Sequence, residues 1–523
     1  MRTDQLDWIS LAGLGLLASF LLLSQLGEPL LWQDEAQTAV IARTVLTDGI
    51  PLGTDGRNFF SQENGVEYAE GYVWKWHTWL SFYVVAASFA TLGATTFAAR
   101  LPFALFGIAT VLLGYVAARS LWRSRAAALA SGGLLALSVP FLVLSRQCRW
   151  YTMAAFFALL GLHLYRHLGE DERRYSVALF AAASLLFHTH YFYVSTLLLT
   201  LLIHSLWLER KRFRRTVIVS AAVTLVNAPW ILWFSSIRYG EVYGDYLTSL
   251  PTIFQKGSHL VQDLVGYFLH PLFLLIPVAI LVLRGYRGQA LLSVTPETRS
   301  SAALLALFCV IGILALGVLS PGAYFRYLTP MAPAALLLAG GLLGALAAES
   351  RVAAVAVFAL WIALSPIRGF LHEITSGFDG PIEGIVGFLE QRARPGDVVA
   401  ISYGDMPLKF YTDLRVIGGL TGEDLSEAAG ADWIILRRHA FKGVDLPVRE
   451  ALRAHLVPGE YVEYRLRFAD TAFENREDPR MHRFRTPPPS HERVVVHGRA
   501  DRVRDAIDTQ VEGSSDDTIR RRR

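Results

Sequence analysis

Apolar stretches of about 20 residues recur along this chain from residue 8 to residue 365, and no other feature restricts the fold more. A helix of that length crosses the roughly 30 Å hydrocarbon core of a bilayer. The 523 residues are only 18% charged, whereas soluble domains carry about 25%. The chain is therefore predicted to be a mostly α-helical, polytopic membrane protein, with its first apolar stretch retained as a span.

The loops between these stretches form two alternating sets. One set is basic: RSLWRSR (119–125), RHLGEDERR (166–174), ERKRFRR (209–215) and RGYRGQ (284–289). The other set places its few arginines beside aromatics: SRQCRWY (145–151), HTHYFY (188–193) and PGAYFRY (321–327). Basic loops face the cytoplasm. The pattern predicts about 11 spans in the cytoplasmic (inner) membrane, with the N-terminus inside and the C-terminal domain on the outer face.

Residues 77–95 are apolar enough to span, but a span there would turn ERKRFRR outward. We therefore expect an interfacial helix in this part of the first outer loop. The predicted domains are a transmembrane domain (1–370, with the first outer loop at 28–98), a small soluble α/β domain (371–497) and a disordered polar tail (498–523). Within the α/β domain, PGDVVAISYGDMPLKFYTDLRVIGGL (395–420) indicates strand, turn and short helix, and ADWIILRR (431–438) indicates a buried strand.

An acid pair, Asp34 and Glu35, directly follows the first apolar stretch and opens the amphipathic segment EAQTAVIARTVLTDGIP. Adjacent residues on a helix point about 100° apart, so the two carboxylates cannot serve the same task. Both are candidate catalytic residues, and capping of the helix start is the alternative for Asp34. The other loop acids Glu63, Glu67 and Glu70 are expected to be solvated.

Four cations on the predicted outer side are candidates for phosphate binding: Lys75, Arg146, Arg149 and Arg326. A guanidinium group binds phosphate in a bidentate manner. Arg146 and Arg149 stand three apart, which predicts one face of a helix start. For all four, anchoring at lipid headgroups is the alternative.

Candidate substrate-binding residues are His188, His190, Tyr191 and Tyr324, with interface packing as the alternative. The two histidines lack an evident third ligand, so no metal or other cofactor is expected. The two cysteines lie in separate apolar stretches, which argues against a disulfide framework. No basic-aromatic module points to nucleic acid as a partner.

Several motifs follow one another in a recognisable order after ARTVLTDGIP (42–51): AARLPFALFGIATVLLGYVAARSLW (98–122), LSRQCRWYTMAAFFALLGLHLY (144–165), HTHYFYVSTLLL (188–199) and YFRYLTPMAPAALLLAG (324–340). With this order, residues 8–346 resemble the GT-C membrane glycosyltransferases, in particular the group of protein O-mannosyltransferases and lipid A aminoarabinose transferases. Some relatives carry an acid in the second outer loop; this chain does not, which argues against a two-acid or metal-bridged site.

The resemblance implies an inverting glycosyltransferase that moves a hexose or pentose from a polyprenyl-phosphate donor to a lipid, polysaccharide or protein acceptor on the outer face. It also implies that the first-loop acid is the base and that Lys75 contacts the donor phosphate. The chemistry agrees, since a carboxylate must take the acceptor proton and cations must hold the leaving phosphate. A membrane transporter or glycolipid flippase is the first alternative, although no repeated halves are evident. A non-catalytic cell-envelope scaffold is the second.

Overall fold

A computed structural model describes residues 5–234, 249–287, 295–377, 380–438, 446–471 and 492–501. The chain divides into two compact units. The helical unit contains Met1–Glu28 and Lys75–Ser376, and the loop–sheet unit contains Pro29–Trp74 and Gly377–Asn475 together with the last strand. The predicted tail from residue 498 begins inside that strand, and residues 502–523 lie outside the described ones.

The helical unit is built from α1 and α3 to α16, numbered along the whole chain. Their bounds are α1 Gln5–Leu23, α3 Leu80–Leu92, α4 Thr96–Trp122, α5 Arg125–Leu137, α6 Val139–Ser145, α7 Tyr151–Arg166, α8 Glu172–Thr189, α9 Tyr191–Trp207, α10 Arg210–Phe234, α11 Leu250–Asp263, α12 Ile276–Tyr286, α13 Pro296–Leu319, α14 Ala332–Glu349, α15 Arg351–Leu364 and α16 Ile367–Thr375.

Five of these helices, α1, α4, α10, α13 and α14, are long and apolar enough to cross a membrane. Three bent helix pairs raise that number to eight among the described residues if each pair is one span. The protein is thus a multi-pass membrane protein, and the count of eleven spans stays a prediction. Helix α3 has 13 residues, so it is about 20 Å long and too short to span. Its interfacial position also stays a prediction.

Two predicted loops have different outcomes. The HTHYFY turn is confirmed, because α8 ends at Thr189, His190 is extended (φ −165°), and α9 begins at Tyr191. The predicted helix start around Arg146 and Arg149 is wrong, because both residues lie in the turn between α6 and α7. The Arg146 amide closes the last turn of α6, and the Arg149 amide bonds the carbonyl two residues back, which interrupts the helical ladder.

Small residues allow α5 and α14 to pack at close range. A Cβ at Gly340 would lie 2.0 Å from Ser131 Oγ, and one at Gly344 would lie 2.5 Å from Ala127 Cβ. Small residues four apart on one helix face are a common device for close packing of membrane helices. The LAGGLLGA segment of the α14 sequence therefore specifies a helix–helix contact as well as an apolar span.

Among its described residues, the loop–sheet unit contains four α-helices and one five-stranded sheet. Its elements are α2 Gln33–Asp48, α17 Pro381–Arg392, β1 Val398–Ile401, α18 Asp405–Tyr411, β2 Arg415–Gly418, β3 Trp433–Ile435, α19 Leu446–Arg453, β4 Tyr461–Ala469 and β5 Arg493–Arg499. The strand order is β2-β1-β3-β5-β4. Strand β1 is parallel to β2 and β3, while β5 is antiparallel to β3 and β4. Apolar residues of α17 cover one face of the sheet, so the predicted small α/β domain is confirmed.

Residues 29–74 of the predicted first outer loop belong to this second unit, and residues 75–98 belong to the helical unit, whereas the sequence placed all of 28–98 with the transmembrane domain. The Asn58 side chain shows why: its Nδ2 donates to Leu414 O at 3.2 Å, and its Oδ1 accepts from Val416 N at 2.8 Å. It thereby pairs backbone groups along the edge strand β2, which would otherwise stay open. Residues 29–74 are held by long-range hydrogen bonds that no local pattern announces.

Candidate active site

Asp34 differs from its neighbours in the loop–sheet unit by being partly accessible to solvent. It is the only one of residues 31–42 that is not buried. It is also the second residue of α2, where the positive end of the helix dipole favours a carboxylate. The alternative that Asp34 is the N-cap residue is wrong, because α2 already includes Gln33 and its first helical hydrogen bond runs from Ala36 N to Trp32 O at 2.9 Å. Trp32, not Asp34, is the N-cap residue.

Glu35 has the opposite environment. Its side chain is fully buried, and its Oε2 accepts a hydrogen bond from Trp32 N at 3.4 Å. A glutamate at the third helical position that reaches back to the N-cap amide is half of a capping box. The sequence proposed catalytic roles for both acids. The structure gives Glu35 a helix-capping contact and leaves Asp34 partly accessible.

Glu67, another carboxylate of the first loop, is buried, whereas the sequence predicted it to be solvated. Glu67 accepts hydrogen bonds from Gln62 N (2.8 Å), Glu63 N (3.0 Å), Gln37 Nε2 (3.1 Å) and the Ser61 hydroxyl. Burial raises the pKa of Glu67 to about 7. No periodicity in the loop indicated this, because the burial results from the loop folding around the side chain. Glu70 is exposed, as expected.

In the helical unit, aromatic side chains from three elements form what we call the aromatic cluster: Trp150, His190, Tyr193 and Tyr327. The Trp150 ring centre lies 4.1 Å from that of His190, 5.4 Å from Tyr193 and 6.0 Å from Tyr327. The Tyr193 hydroxyl donates to Tyr327 O at 2.8 Å. The cluster joins the start of α7, the α8–α9 turn and the short helix Phe325–Leu328.

Two of the predicted phosphate-binding arginines border this cluster. The Arg326 guanidinium lies 4.5 Å from the Tyr324 ring centre and 5.7 Å from that of Tyr327. The Arg149 guanidinium lies 6.0 Å from the ring centre of Tyr151, which neighbours Trp150. Arginine packs on aromatic faces through its guanidinium, a group that also binds anions. The structure thus brings together Arg149, Arg326, His190 and Tyr324.

Sequence reasoning missed His77, which precedes α3 and is buried. Its ring stacks on Phe82 with centres 5.1 Å apart. Burial, followed in size by the charge of Arg149, lowers the pKa of His77 to about 3. The imidazole is therefore neutral at physiological pH. A single histidine in an aromatic stretch gave no indication that its side chain would be buried and uncharged.

Arg146 does not join the aromatic cluster. Its guanidinium is buried and donates to Leu21 O (3.2 Å), Leu22 O (2.9 Å) and Gln25 O (3.3 Å). These carbonyls end α1 and its following turn, where a cation is favourable because of the helix dipole. Arg146 therefore has a structural function, and a contact of this residue with phosphate stays a prediction.

The remaining predicted residues are dispersed. The His188 ring packs edge-on against Trp230 with centres 5.6 Å apart. Tyr191 stacks on Phe234 at 5.8 Å and lines a mostly apolar cleft of about 350 Å³ between α8, α9 and α10. Lys75 is half-buried and makes no ion pair with a described residue of the helical unit. Among the described residues, no three His, Cys, Asp or Glu side chains form a metal-binding group, and independence of metal stays a prediction.

Comparison with known proteins gives a likeness in structure. No family model matches this chain, and no curated protein matches its sequence. The crystal structure of ArnT from Cupriavidus metallidurans bound to undecaprenyl phosphate is similar, with 16% identity, a TM-score of 0.57 and coverage of 95% of this chain and 98% of ArnT. In the apo state of ArnT the TM-score is 0.59.

Two other solved structures have the same architecture. The archaeal oligosaccharyltransferase AglB from Archaeoglobus fulgidus, in complex with an inhibitory peptide and a dolichol-phosphate, is 12% identical with a TM-score of 0.50, over 89% of this chain and 74% of AglB. The arabinofuranosyltransferase AftD from Mycobacteria is 15% identical with a TM-score of 0.53, over 95% of this chain and 40% of AftD. This chain therefore has the GT-C fold that its motifs predicted.

Proposed function

We propose that this protein is an inverting membrane glycosyltransferase that uses a polyprenyl-phosphate sugar donor, with Asp34 as its general base. The observation that carries the proposal is the accessibility of Asp34 within an otherwise buried helix start. A carboxylate that served only the fold would be expected to be fully buried, as Glu35 is. The GT-C fold supports the same reaction class.

The proposed reaction uses Asp34 as its general base. An acceptor hydroxyl attacks the anomeric carbon from the face opposite the phosphate, so the configuration inverts. The bond between the anomeric carbon and the phosphate oxygen breaks with its electron pair, and polyprenyl phosphate leaves. The acceptor proton passes to an Asp34 carboxylate oxygen as the new glycosidic bond forms.

Arg149 and Arg326 are assigned to the donor phosphate, with Lys75 as a third cation. The negative charge on the phosphate grows as the bond breaks, and fixed cations stabilise that charge most in the transition state. The Arg326 guanidinium lies over the Tyr324 ring, 4.5 Å from its centre, and a guanidinium suits bidentate phosphate binding. His190 and Tyr324 are assigned to substrate contacts beside these arginines.

The choice of donor is supported by the ligands of the similar structures, since ArnT was solved with undecaprenyl phosphate and AglB with a dolichol-phosphate. Hexose and pentose donors both fit the proposal, as do lipid, polysaccharide and protein acceptors. Reconstituted protein incubated with labelled polyprenyl-phosphate hexoses and pentoses, together with acceptors of each class, should transfer one sugar. Asp34→Asn is the negative control. Movement of the lipid across the vesicle membrane without any sugar transfer would instead support a flippase.

The proposed site lies on the outer face of the cytoplasmic membrane, with the N-terminus inside. The alternating loop charges support this orientation. A cysteine introduced by Ala323→Cys in PGAYFRY should react with a membrane-impermeant reagent on intact cells, whereas one introduced by Lys211→Cys in ERKRFRR should react only after permeabilisation. The native Cys148 and Cys309 are buried, which keeps the background low. Reversed labelling would contradict the orientation.

A further inference from the structure

The carboxyl ends of the parallel strands form one edge of the sheet in the loop–sheet unit. In open α/β sheets this edge is the usual place for a ligand. Here the turn after β1 leads into α18, whose first residue is Asp405. Beside it, Gly419 has a φ of +62°, and a Cβ at that position would lie 2.2 Å from Asp405 Oδ1. The backbone therefore approaches the carboxylate closely, and only glycine fits.

Asp405 and Lys409 form a fully buried ion pair at this edge. Lys409 Nζ lies 2.7 Å from Asp405 Oδ2, and both side chains are inaccessible to solvent. Lys409 Nζ also donates to Phe59 O of the first loop at 2.7 Å. Desolvation offsets most of the attraction in such a pair, so well-packed apolar residues would stabilise a fold equally well. The hydrogen bonds that Asp405 and Lys409 make to other elements are therefore the better guide to the function of this ion pair.

The ion pair is hydrogen-bonded to α2, the helix that carries Asp34. Gln33 Nε2 donates to Asp405 Oδ1 at 2.7 Å, and Gln33 Oε1 accepts from Met406 N at 3.4 Å. We call Gln33, Asp405 and Lys409 the edge cluster. It occupies the edge of the sheet at which a separate ligand would bind in other α/β domains.

One turn further along α2, a second amide holds the same helix face. Gln37 Nε2 donates to Phe60 O at 2.9 Å and to Glu67 Oε1 at 3.1 Å. Residues four apart lie on one side of a helix, so Gln33 and Gln37 anchor a single face of α2. Asp34 follows Gln33 by one residue and points about 100° away from that face. The rotation of α2 about its axis is thereby defined at two points.

We propose that the α/β domain positions the catalytic acid, with Gln33, Asp405 and Lys409 fixing the rotation of α2 so that the Asp34 carboxylate faces the substrate. This inference rests on the proposed function of Asp34. These three are positioning residues, since none of them takes part in the proton transfer. Their importance follows from geometry, because a displacement of about 1 Å at a reacting group can cost a hundredfold in rate.

The test begins with Gln33→Leu, which removes both hydrogen bonds to the edge at nearly constant volume. We expect kcat to fall tenfold to a hundredfold while KM for the sugar donor changes less than twofold. Backbone amides of residues 36–44 should exchange with deuterium faster in the intact, reconstituted protein. The matched control is Tyr461→Phe, which removes the bond from the Tyr461 hydroxyl to Ala431 O elsewhere in the same domain. It should change neither kcat nor exchange in α2.

A reversal of polarity provides the rescue. Asp405 accepts from two donors, Gln33 Nε2 and Lys409 Nζ, whereas an asparagine has only one side-chain oxygen. In Asp405→Asn, if that oxygen faces Lys409, the new NH₂ group faces the NH₂ group of Gln33, so the variant should reproduce the defect. The double variant Gln33→Glu/Asp405→Asn restores the match, because the new carboxylate accepts from the new amide while the amide oxygen faces Lys409. Its kcat should return to within threefold of the wild type. A purely structural weakening would not recover in this way.

The outcomes separate the two proposals. Unchanged exchange in α2 for both single variants, a kcat loss no larger than that of Tyr461→Phe, or failure of the double variant to recover would overturn the positioning role. If Gln33→Leu does not fold, Asp405→Asn and its reversal decide the question. If the wild-type protein transfers no sugar at all, the proposed function fails, whereas the exchange measurement still decides whether the edge cluster holds α2.

Discussion

The two units of this protein bury polar side chains in different ways. In the loop–sheet unit, carboxylates, amides and one lysine bond to one another and to loop backbone, as Glu67 and Asp405 do. In the helical unit, the buried Arg100 and Arg146 donate instead to carbonyls at the end of α1 and in the turn after it, while Arg149 and Arg326 lie against tyrosine rings. In each unit the candidate functional side chains, Asp34, Arg149 and Arg326, are partly accessible rather than buried.

The acid pair gives the largest expected effect within this comparison. Asp34→Asn should lower the rate of transfer by roughly 10²–10⁴, because the amide cannot accept the acceptor proton. Glu35→Gln should retain nearly normal turnover, because glutamine also completes a capping box, with a loss of about 1 kcal/mol or less in unfolding free energy. Turnover and the thermal midpoint Tm are measured for both purified variants.

Two results would break this part of the comparison. Normal turnover in Asp34→Asn with loss in Glu35→Gln would move the base to the buried acid. Normal turnover in both would remove the catalytic role from the pair and return attention to the transporter and scaffold hypotheses.

Glu67 gives an intermediate effect, on stability rather than rate. Its pKa is about 7 in the folded protein and 4.5 ordinarily, so the folded state binds the proton more tightly than the unfolded state. The contribution of Glu67 to the free energy of unfolding is therefore highest below pH 4.5. It declines by about 3 kcal/mol in all as the pH rises to about 7. Glu67→Gln should remove that decline.

The measurement is Tm against pH for the wild type and for Glu67→Gln, because the difference between the two curves isolates Glu67 from other titrating groups. Glu70→Gln is the control, since Glu70 is exposed in the same loop. Parallel curves for the wild type and Glu67→Gln would show that the carboxyl titrates alike in the folded and unfolded states.

The arginines of the helical unit give the smallest expected effect. Arg149→Ala or Arg326→Ala should each lower kcat/KM for the sugar donor about tenfold, since a charge-assisted bond contributes about 1.5–3 kcal/mol. Arg146→Ala should lower Tm but spare the use of donor by the protein that remains folded. Equal loss of donor use in all three variants, at equal folded fraction, would contradict the distinction between phosphate-binding and structural arginines.

Much of the fold was predictable because its signals are local. An apolar segment inside the bilayer must be helical, since the hydrocarbon core leaves its backbone no other hydrogen-bond partners. The HTHYFY turn and the strands in DVVAIS and DWIIL likewise follow from composition within a few residues. The acid pair was identifiable from its position directly after the first apolar stretch.

The tertiary structure alone decided which polar residues are accessible. Gln33 bonds Asp405 across 372 residues of chain, and Asn58 bonds Val416 across 358. Such pairs are chosen by the meeting of surfaces after the elements have formed, so neither periodicity nor composition announces them. For this reason the burial of Glu67, the carbonyl contacts of Arg146 and the grouping of residues 29–74 with the α/β domain could not be read from the chain. The sequence determined where the charges stand along the backbone, and the packing decided which of them remain accessible for chemistry.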